Sequence, residues 1–317
     1  MGPGVRTALA GLAAVVTAAS FAGCGLGPGA GTGDVGLRIT RDFGQAKVGA
    51  GTQSRVPGAE TVMRMLERSF RVQTRYGGGF VESINGLSGD SSRHDWFYYV
   101  NGVQAPVGAA STAVHRGDRI WWDLHDWSAT DSVPAVVGSF PEPFVHGFGG
   151  KRLPTTVQCA PGAAAACARV SAALKAAGVP ASSQLLGTGS GTDSLGVLVG
   201  TWAQLRSVLA AALIARGPST SGVYARFTGP AGGSLQLLDA HAHVSRTLGA
   251  GAGLVAATRD TVSEPTWLIT GTDTAGVTAA ARALSATALH DRFALAVRGN
   301  SDLPLPVAEP PGVHRAP

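Results

Sequence analysis

The sequence predicts an α+β domain over residues 34–130, followed by an α/β domain over residues 155–300 that contains a degenerate internal repeat. The first prediction rests on two aromatic strands, one at residues 96–100 before a turn-forming Asn-Gly pair and one at residues 119–123. The second rests on apolar strands that alternate with helical patterns. A chain of 317 residues is long enough for two such domains.

Residues 1–23 are predicted to be a signal peptide. The stretch 8–22 is apolar and uncharged, follows Arg6, and is too short to span a bilayer. It ends at Phe21-Ala22-Gly23-Cys24, which resembles a bacterial lipobox, where a signal peptidase cuts before a Cys that carries diacylglycerol. We expect lipidation at Cys24, a glycine-rich tether at 24–33, and a protein anchored to the cell membrane on its extracytoplasmic face. An ordinary secretory signal with an incidental Cys is the alternative.

The first domain is predicted to contain one helix and several strands. In order, they are a strand at residues 35–39, a loop at 41–57, a helix at 59–69, strands at 72–76 and 80–84, a polar loop at 85–95, and the two aromatic strands. The helix has one apolar stripe, because Val62, Leu66 and Phe70 recur at four-residue spacing. One helix and mostly antiparallel strands predict a sheet with that helix across it.

Four segments of the first domain resemble the transcobalamin C-terminal-like domain family. They are 76–87 (YGGGFVESINGL), 96–102 (WFYYVNG), 106–109 (PVGA) and 117–122 (GDRIWW). The resemblance implies a β-grasp-like sheet. It also implies a corrinoid ligand, since in animal cobalamin carriers this domain covers one face of the bound corrinoid. Bacterial members of the family are typically surface lipoproteins. The glycine run between residues 76 and 80 is wider here than the family's usual Tyr-Gly pair.

The aromatic residues of the first domain have two interpretations. Some must fill the core under the helix, because a sheet buries at least one face. The others are expected to form an exposed platform that stacks on a planar ligand, while Tyr hydroxyls and an Asn amide bond its peripheral amides. Strand alternation divides Trp96 and Tyr98 from Phe97 and Tyr99, but it does not say which pair is inside. The candidate ligand-binding residues are Tyr76, Phe80, Trp96, Tyr98, Tyr99, Asn101 and Trp121.

A linker at residues 131–154 joins the two predicted domains. It is rich in Pro and Gly but carries Phe140, Phe144 and Phe148, so we expect it to pack along one or both domains. At the other end of the chain, the Pro-rich residues 301–317 are expected to be a disordered tail.

The second domain is predicted to alternate strands with helices. The strand candidates are at 155–158, 195–200, 222–227, 235–238, 254–257, 267–270 and 293–297, and the helices are at 162–177, 203–216 and 274–290. Gly200-Thr201-Trp202 and Gly271-Thr272-Asp273 each follow an apolar strand and precede a helix. Each is later followed by a strand with an Arg-Phe pair, at 226–227 and at 292–293, which indicates the internal repeat.

Cys159 and Cys167 are expected to form a disulfide, because an exported chain matures in an oxidising compartment. Free thiols are the alternative.

Composition and motifs argue against nucleic-acid binding and catalysis. The net charge of +5 is spread along the chain without a basic run. The sequence has no nucleophile elbow and no phosphate loop, and the run at 187–191 lacks the third glycine of a dinucleotide loop. We therefore expect no nucleic-acid partner, no enzyme, no catalytic residue and no catalytic cofactor.

Two short clusters contain metal-ligand residue types. One is formed by Asp239, His241 and His243, and the other by residues 123, 125 and 126. Each lacks a convincing third and fourth ligand, so solvated side chains and no metal site are expected. Alternatively, His94, His115 or His125 could offer an axial nitrogen to a corrin cobalt.

Together these observations predict a membrane-anchored lipoprotein that captures cobalamin or a related corrinoid for transport to a membrane importer. In the animal carriers a helical domain covers the other ligand face. Here either the α/β domain takes that place or a separate helical partner protein does. The alternative function is a cell-surface module that binds a protein or a glycan through the same aromatic sheet.

Overall fold

A computed structural model describes residues 1–2, 34–90, 92–188, 193–261 and 263–308. The predicted lipidation site Cys24, its tether and most of the predicted signal peptide lie outside the described residues. Over the ranges that are described, no helix is both long enough and apolar enough to cross a membrane. The described chain has a mixed α+β fold that is rich in sheet.

The first domain is built around a sheet with the order β2-β1-β8-β6-β7. Its elements are β1 (Val35–Arg41), β2 (Ala46–Gln53), α1 (Val62–Ser69), β3 (Val72–Arg75), β4 (Phe80–Ile84), β5 (Leu87–Ser88), β6 (His94–Val100), β7 (Val103–Gln104) and β8 (Arg119–Asp126). Strands β1 and β8 are parallel at the centre, and the other neighbours in this sheet are antiparallel. Strands β3, β4 and β5 form a separate antiparallel sheet.

Helix α1 packs on one face of the β1–β8 sheet. Val62 and Leu66 of the helix share a buried cluster with Leu37, Tyr98 and Trp122 of the sheet. The helix begins at Val62 rather than at the predicted residue 59. The cause is local, since the Thr61 side chain caps the helix by accepting a hydrogen bond from the Arg64 N–H at 3.3 Å.

The second domain is built on a sheet with the order β10-β9-β11-β16-β15-β17-β18. Its elements are β9 (Thr155–Cys159), α2 (Ala164–Ala176), β10 (Ala181–Leu185), β11 (Leu195–Thr201), α3 (Trp202–Leu205), α4 (Leu209–Ala215), α5 (Pro218–Ser221), β12 (Ala225–Thr228), β13 (Ser234–Leu238), β14 (Val244–Leu248), β15 (Ala252–Thr258), β16 (Thr266–Gly271), α6 (Thr274–Arg282), α7 (Ala286–Leu289), β17 (Ala294–Arg298) and β18 (Ser301–Leu305). Strands β10, β9, β11 and β16 are parallel, as expected for an α/β arrangement.

Both faces of this second sheet are covered. Helices α2 and α6 pack on one face, where Val170 and Val277 join the buried cluster. Helices α3 and α4, together with a small sheet of β12, β13 and β14, pack on the other face through Leu205 and Ile214. The predicted repeat is therefore not confirmed. The helices that follow β11 and β16 lie on opposite faces, and the Arg-Phe pair at 226–227 belongs to the small sheet instead of the large one.

The two domains meet at the face of the first sheet that α1 leaves free. Phe293, just before β17, packs edge-on against Tyr99 and Trp121, with ring centroids 5.6 and 5.1 Å apart. Phe43, in the turn after β1, contacts both Phe293 and Tyr224 at 5.1 Å. The first sheet is thus buried on both faces. From the connecting segment, Val136 and Phe144 are also buried.

The first residues of the expected disordered tail are ordered in the structure. Ser301–Leu305 forms β18 and pairs with β17, and Leu305 is buried. The prolines of this segment predict disorder, but β18 is an edge strand. An edge strand can accept Pro304, because the missing N–H removes no hydrogen bond from the interior of the sheet. Residues 309–317 lie outside the described part of the chain.

Candidate ligand-binding site

The aromatic strands β6 and β8 do not form an exposed platform. Trp96, Tyr98, Tyr99 and Trp121 are only 8%, 9%, 0% and 0% exposed. Trp96 and Tyr98 face α1, whereas Tyr99 and Trp121 face the α/β domain. The expected platform is therefore wrong, because the second domain covers the face that could have been open.

Two of the predicted ligand-binding residues are strongly exposed. Tyr76 and Phe80 are 84% and 63% exposed, and they lie on either side of the glycine run between β3 and β4. Their ring centroids are 5.8 Å apart at an interplanar angle of 81°. Gly77 and Gly78 have φ values of +67° and +94°, which glycine adopts without steric cost. The hairpin therefore displays an edge-to-face aromatic pair to solvent.

A groove of about 400 Å³ lies beside this hairpin. It is lined by Met63, Gly79, Phe80, Val81, residues 95–98, residues 104–109 and Trp122. We call it the hairpin groove. The structure thus brings Phe80, Trp96 and Tyr98 together, and Tyr76 joins them through its ring contact with Phe80. Tyr99, Asn101 and Trp121 lie elsewhere.

The Tyr98 hydroxyl holds one side of the hairpin groove in place. It donates to the backbone carbonyl of Val107 and forms a second hydrogen bond with Thr112 Oγ1 at 2.8 Å. Burial raises the pKa of Tyr98, and the bond to Thr112 opposes this rise. The phenol therefore stays neutral at physiological pH and fixes residues 107–112 against β6.

Two indole N–H groups at the hairpin groove lack a protein partner. Trp96 and Trp122 both line the groove, and the Nε1 atom of each is buried without a hydrogen bond to another protein group. A buried donor without a partner costs free energy, so such groups are uncommon and call for an explanation. The Trp267 indole in the core of the second domain is buried without a partner in the same way, so these donors do not by themselves mark a ligand site.

Sequence reasoning missed several residues of this groove. Met63, Val107 and Ala109 all line it, and Val107 is 53% exposed. The segment 106–109 carries part of the family resemblance, but none of its residue types indicates a role in ligand binding. Its position opposite Phe80 depends on the Tyr98 hydrogen bonds, which no sequence pattern reveals.

Asn101 has a structural role instead of the predicted ligand contact. It is fully buried, and its Nδ2 donates to Asp118 Oδ1 at 2.9 Å and to the Gly147 carbonyl at 2.5 Å. Its Oδ1 accepts from the Arg119 N–H at 2.8 Å. No ligand could reach this amide without displacing the linker.

The cluster formed by Asp123, His125 and Asp126 is buried, so the expectation of solvated side chains is wrong for it. Asp123 accepts from the N–H groups of Phe43 and Gly44 at 3.0 and 2.8 Å, and pairs with His125 Nδ1 at 2.8 Å. A carboxylate with these donors anchors the turn after β1 at the domain boundary.

His125 cannot offer an axial nitrogen to a corrinoid. It is 2% exposed. Its ring is stacked between Phe43 and Phe97, with centroids 4.4 Å away on each side. Within the described ranges, no three His, Cys, Asp or Glu side chains come together in a way that could hold a metal ion.

Comparisons with known proteins add one family match. Residues 59–126 match a family described as a domain of unknown function, DUF4430. This segment contains α1, the hairpin and both aromatic strands. No curated protein matches the chain. Among solved structures, one from Ruminococcus gnavus ATCC 29149, a protein to which metal binding has been ascribed, is similar at 18% identity and a TM-score of 0.25. That similarity covers 30% of this chain and 97% of the other.

Proposed function

We propose that this chain is an extracytoplasmic lipoprotein, anchored through Cys24, that binds a small molecule in the hairpin groove. One observation carries the proposal: an exposed aromatic pair, Tyr76 and Phe80, borders a groove of about 400 Å³. A planar ligand can stack on an exposed aromatic surface that lies next to a concave groove.

The proposed ligand is cobalamin or a related corrinoid, bound for transport into the cell. The resemblance to the transcobalamin C-terminal-like domain supports this ligand, and it covers the same hairpin and strands that border the groove. The sheet order, with β1 and β8 parallel at the centre and α1 across one face, supports a β-grasp-like first domain. Binding is non-covalent, through stacking and hydrogen bonds, and no catalytic step is proposed.

The test is a titration of the soluble protein, residues 25–317, with cyanocobalamin, in which isothermal calorimetry measures binding. We expect saturable binding at one site. Phe80→Ala should weaken it roughly tenfold, since losing one stacked ring costs about 1.5 kcal/mol. Leu185→Ala is the matched control, because Leu185 is 67% exposed but lies in β10.

The possible outcomes test the identity of the ligand and the location of the binding site separately. No binding up to high micromolar cyanocobalamin, with or without a helical partner, would contradict the corrinoid. Binding that Phe80→Ala leaves unchanged would contradict the hairpin groove as its location. Binding of a cell-surface glycan or protein instead would favour an interaction module.

A further inference from the structure

A second groove adjoins the hairpin groove at the boundary between the two domains. Its volume is about 540 Å³. Gln104, Ala105 and Pro106 line both grooves, so this segment is a wall that the two grooves share. The opposite side of the second groove is formed by the α/β domain, including Ser219 and Arg259. We call it the boundary groove.

Both grooves are mostly apolar, and the boundary groove also has a cationic side chain. Phe80, Val107 and Trp96 make the hairpin groove largely apolar. The boundary groove is also mostly apolar, with Pro134 and Leu213 in its lining, and it adds the Thr220 hydroxyl and the Arg259 guanidinium. A molecule that occupied both grooves would need to be mostly apolar, with an acceptor group near Arg259.

Arg259 is held in place at the boundary groove. Its guanidinium carbon lies 5.8 Å from the centre of the Phe148 ring, in the linker. Its Nε donates to the backbone carbonyl of Asp260 at 3.4 Å. A guanidinium positioned by these contacts retains other N–H groups for an acceptor.

We infer that the two grooves form one binding site, so that the α/β domain completes the site of the first domain. This inference rests on the proposed function and deepens it. The ligand is an elongated, mostly apolar molecule that carries a hydrogen-bond acceptor for Arg259 in the boundary groove. Size supports this, since a volume of about 400 Å³ is near the lower limit for ligand sites.

The inference is tested with bis-ANS, a dye of two linked anilinonaphthalene sulfonates that is long enough to reach both grooves. Fluorescence titration of residues 25–317 should show one saturable site per chain. Phe80→Ala removes a ring at one end, and Ser219→Trp fills the other end from an exposed position. Each should raise the Kd of that single site roughly fivefold or more, a loss of about 1 kcal/mol, without changing the melting temperature. Leu185→Ala should leave the Kd unchanged.

Three results would overturn the inference: two dyes bound per chain, a Kd that Ser219→Trp does not alter, or no saturable dye binding. Cyanocobalamin then serves as a competitor. Displacement of the dye supports both proposals. One-site behaviour without displacement contradicts the corrinoid ligand alone and leaves the joint site standing.

Discussion

The side chain of Asn101 joins three segments that are distant in sequence. Its amide bonds Asp118, Arg119 and the carbonyl of Gly147, and its backbone has a φ of +54°. The positive φ is the part that the sequence predicts, because an Asn-Gly pair is typical of a tight turn. Burial of the amide is not predictable locally, since it requires the linker to fold over the turn.

At this residue scale we expect Asn101→Ala to lower the free energy of unfolding by about 3 kcal/mol, because it leaves buried groups without partners. Asn85→Ala is the matched control. Asn85 also has a positive φ, also precedes a glycine and also bonds a backbone N–H, but it is exposed. Its loss should cost about 1 kcal/mol. Urea unfolding measures both, and equal effects would contradict the role assigned to the buried amide.

At the scale of elements, the alternation in β6 correctly predicts two faces. It could not predict that both faces are buried, because burial of the Tyr99 face needs Phe293, which lies almost two hundred residues away. The elements of the second domain follow their apolar patterns more closely, since helices and buried strands carry their periodicity within a few residues. The exceptions are β10 and β14, whose mostly exposed side chains give no apolar pattern, and the edge strand β18, where the Pro-rich sequence predicts disorder.

The predicted disulfide is confirmed, and it joins the end of β9 to α2. Cys159 and Cys167 have Cα atoms 6.0 Å apart and a sequence separation of 8. Closing so short a loop should stabilise the fold by about 2–3 kcal/mol. Reducing the bond in residues 25–317 should lower the unfolding free energy by that amount in urea titrations. A Cys159→Ala/Cys167→Ala variant should be insensitive to the reductant, and a wild-type protein equally insensitive would contradict the estimate.

At the scale of the whole molecule, the first sheet is the middle layer between α1 and the α/β domain. Phe293 is central to this contact, because its ring touches those of Phe43, Tyr99, Trp121 and His125. Sequence analysis predicted both domains but not the contact that buries the face between them. Aromatic residues buried at a domain contact and aromatic residues of a ligand-binding site give the same sequence pattern. Because of this ambiguity, only part of the predicted set of ligand-binding residues lies at the hairpin groove.

We expect Phe293→Ala to cost about 3–5 kcal/mol and to uncouple the two domains. Calorimetry of the wild type should show one transition, and the variant should show two. Phe227→Ala is the control, because Phe227 stacks on Trp202 at 4.3 Å within the second domain. It should lower the melting temperature while retaining one transition. A Phe293→Ala variant that also unfolds in one step would show that the domains are coupled by other contacts.

The position of β1 in its sheet has a mechanical consequence. The strand begins at Val35, directly after the proposed tether, and is paired along both edges, with β2 and with β8. A pulling force that arrives from the membrane would load both hydrogen-bond ladders lengthwise, so many bonds would have to yield together. A strand with one free edge would instead peel away bond by bond. Attachment through β1 therefore suits a protein that must stay folded while it is held at a surface.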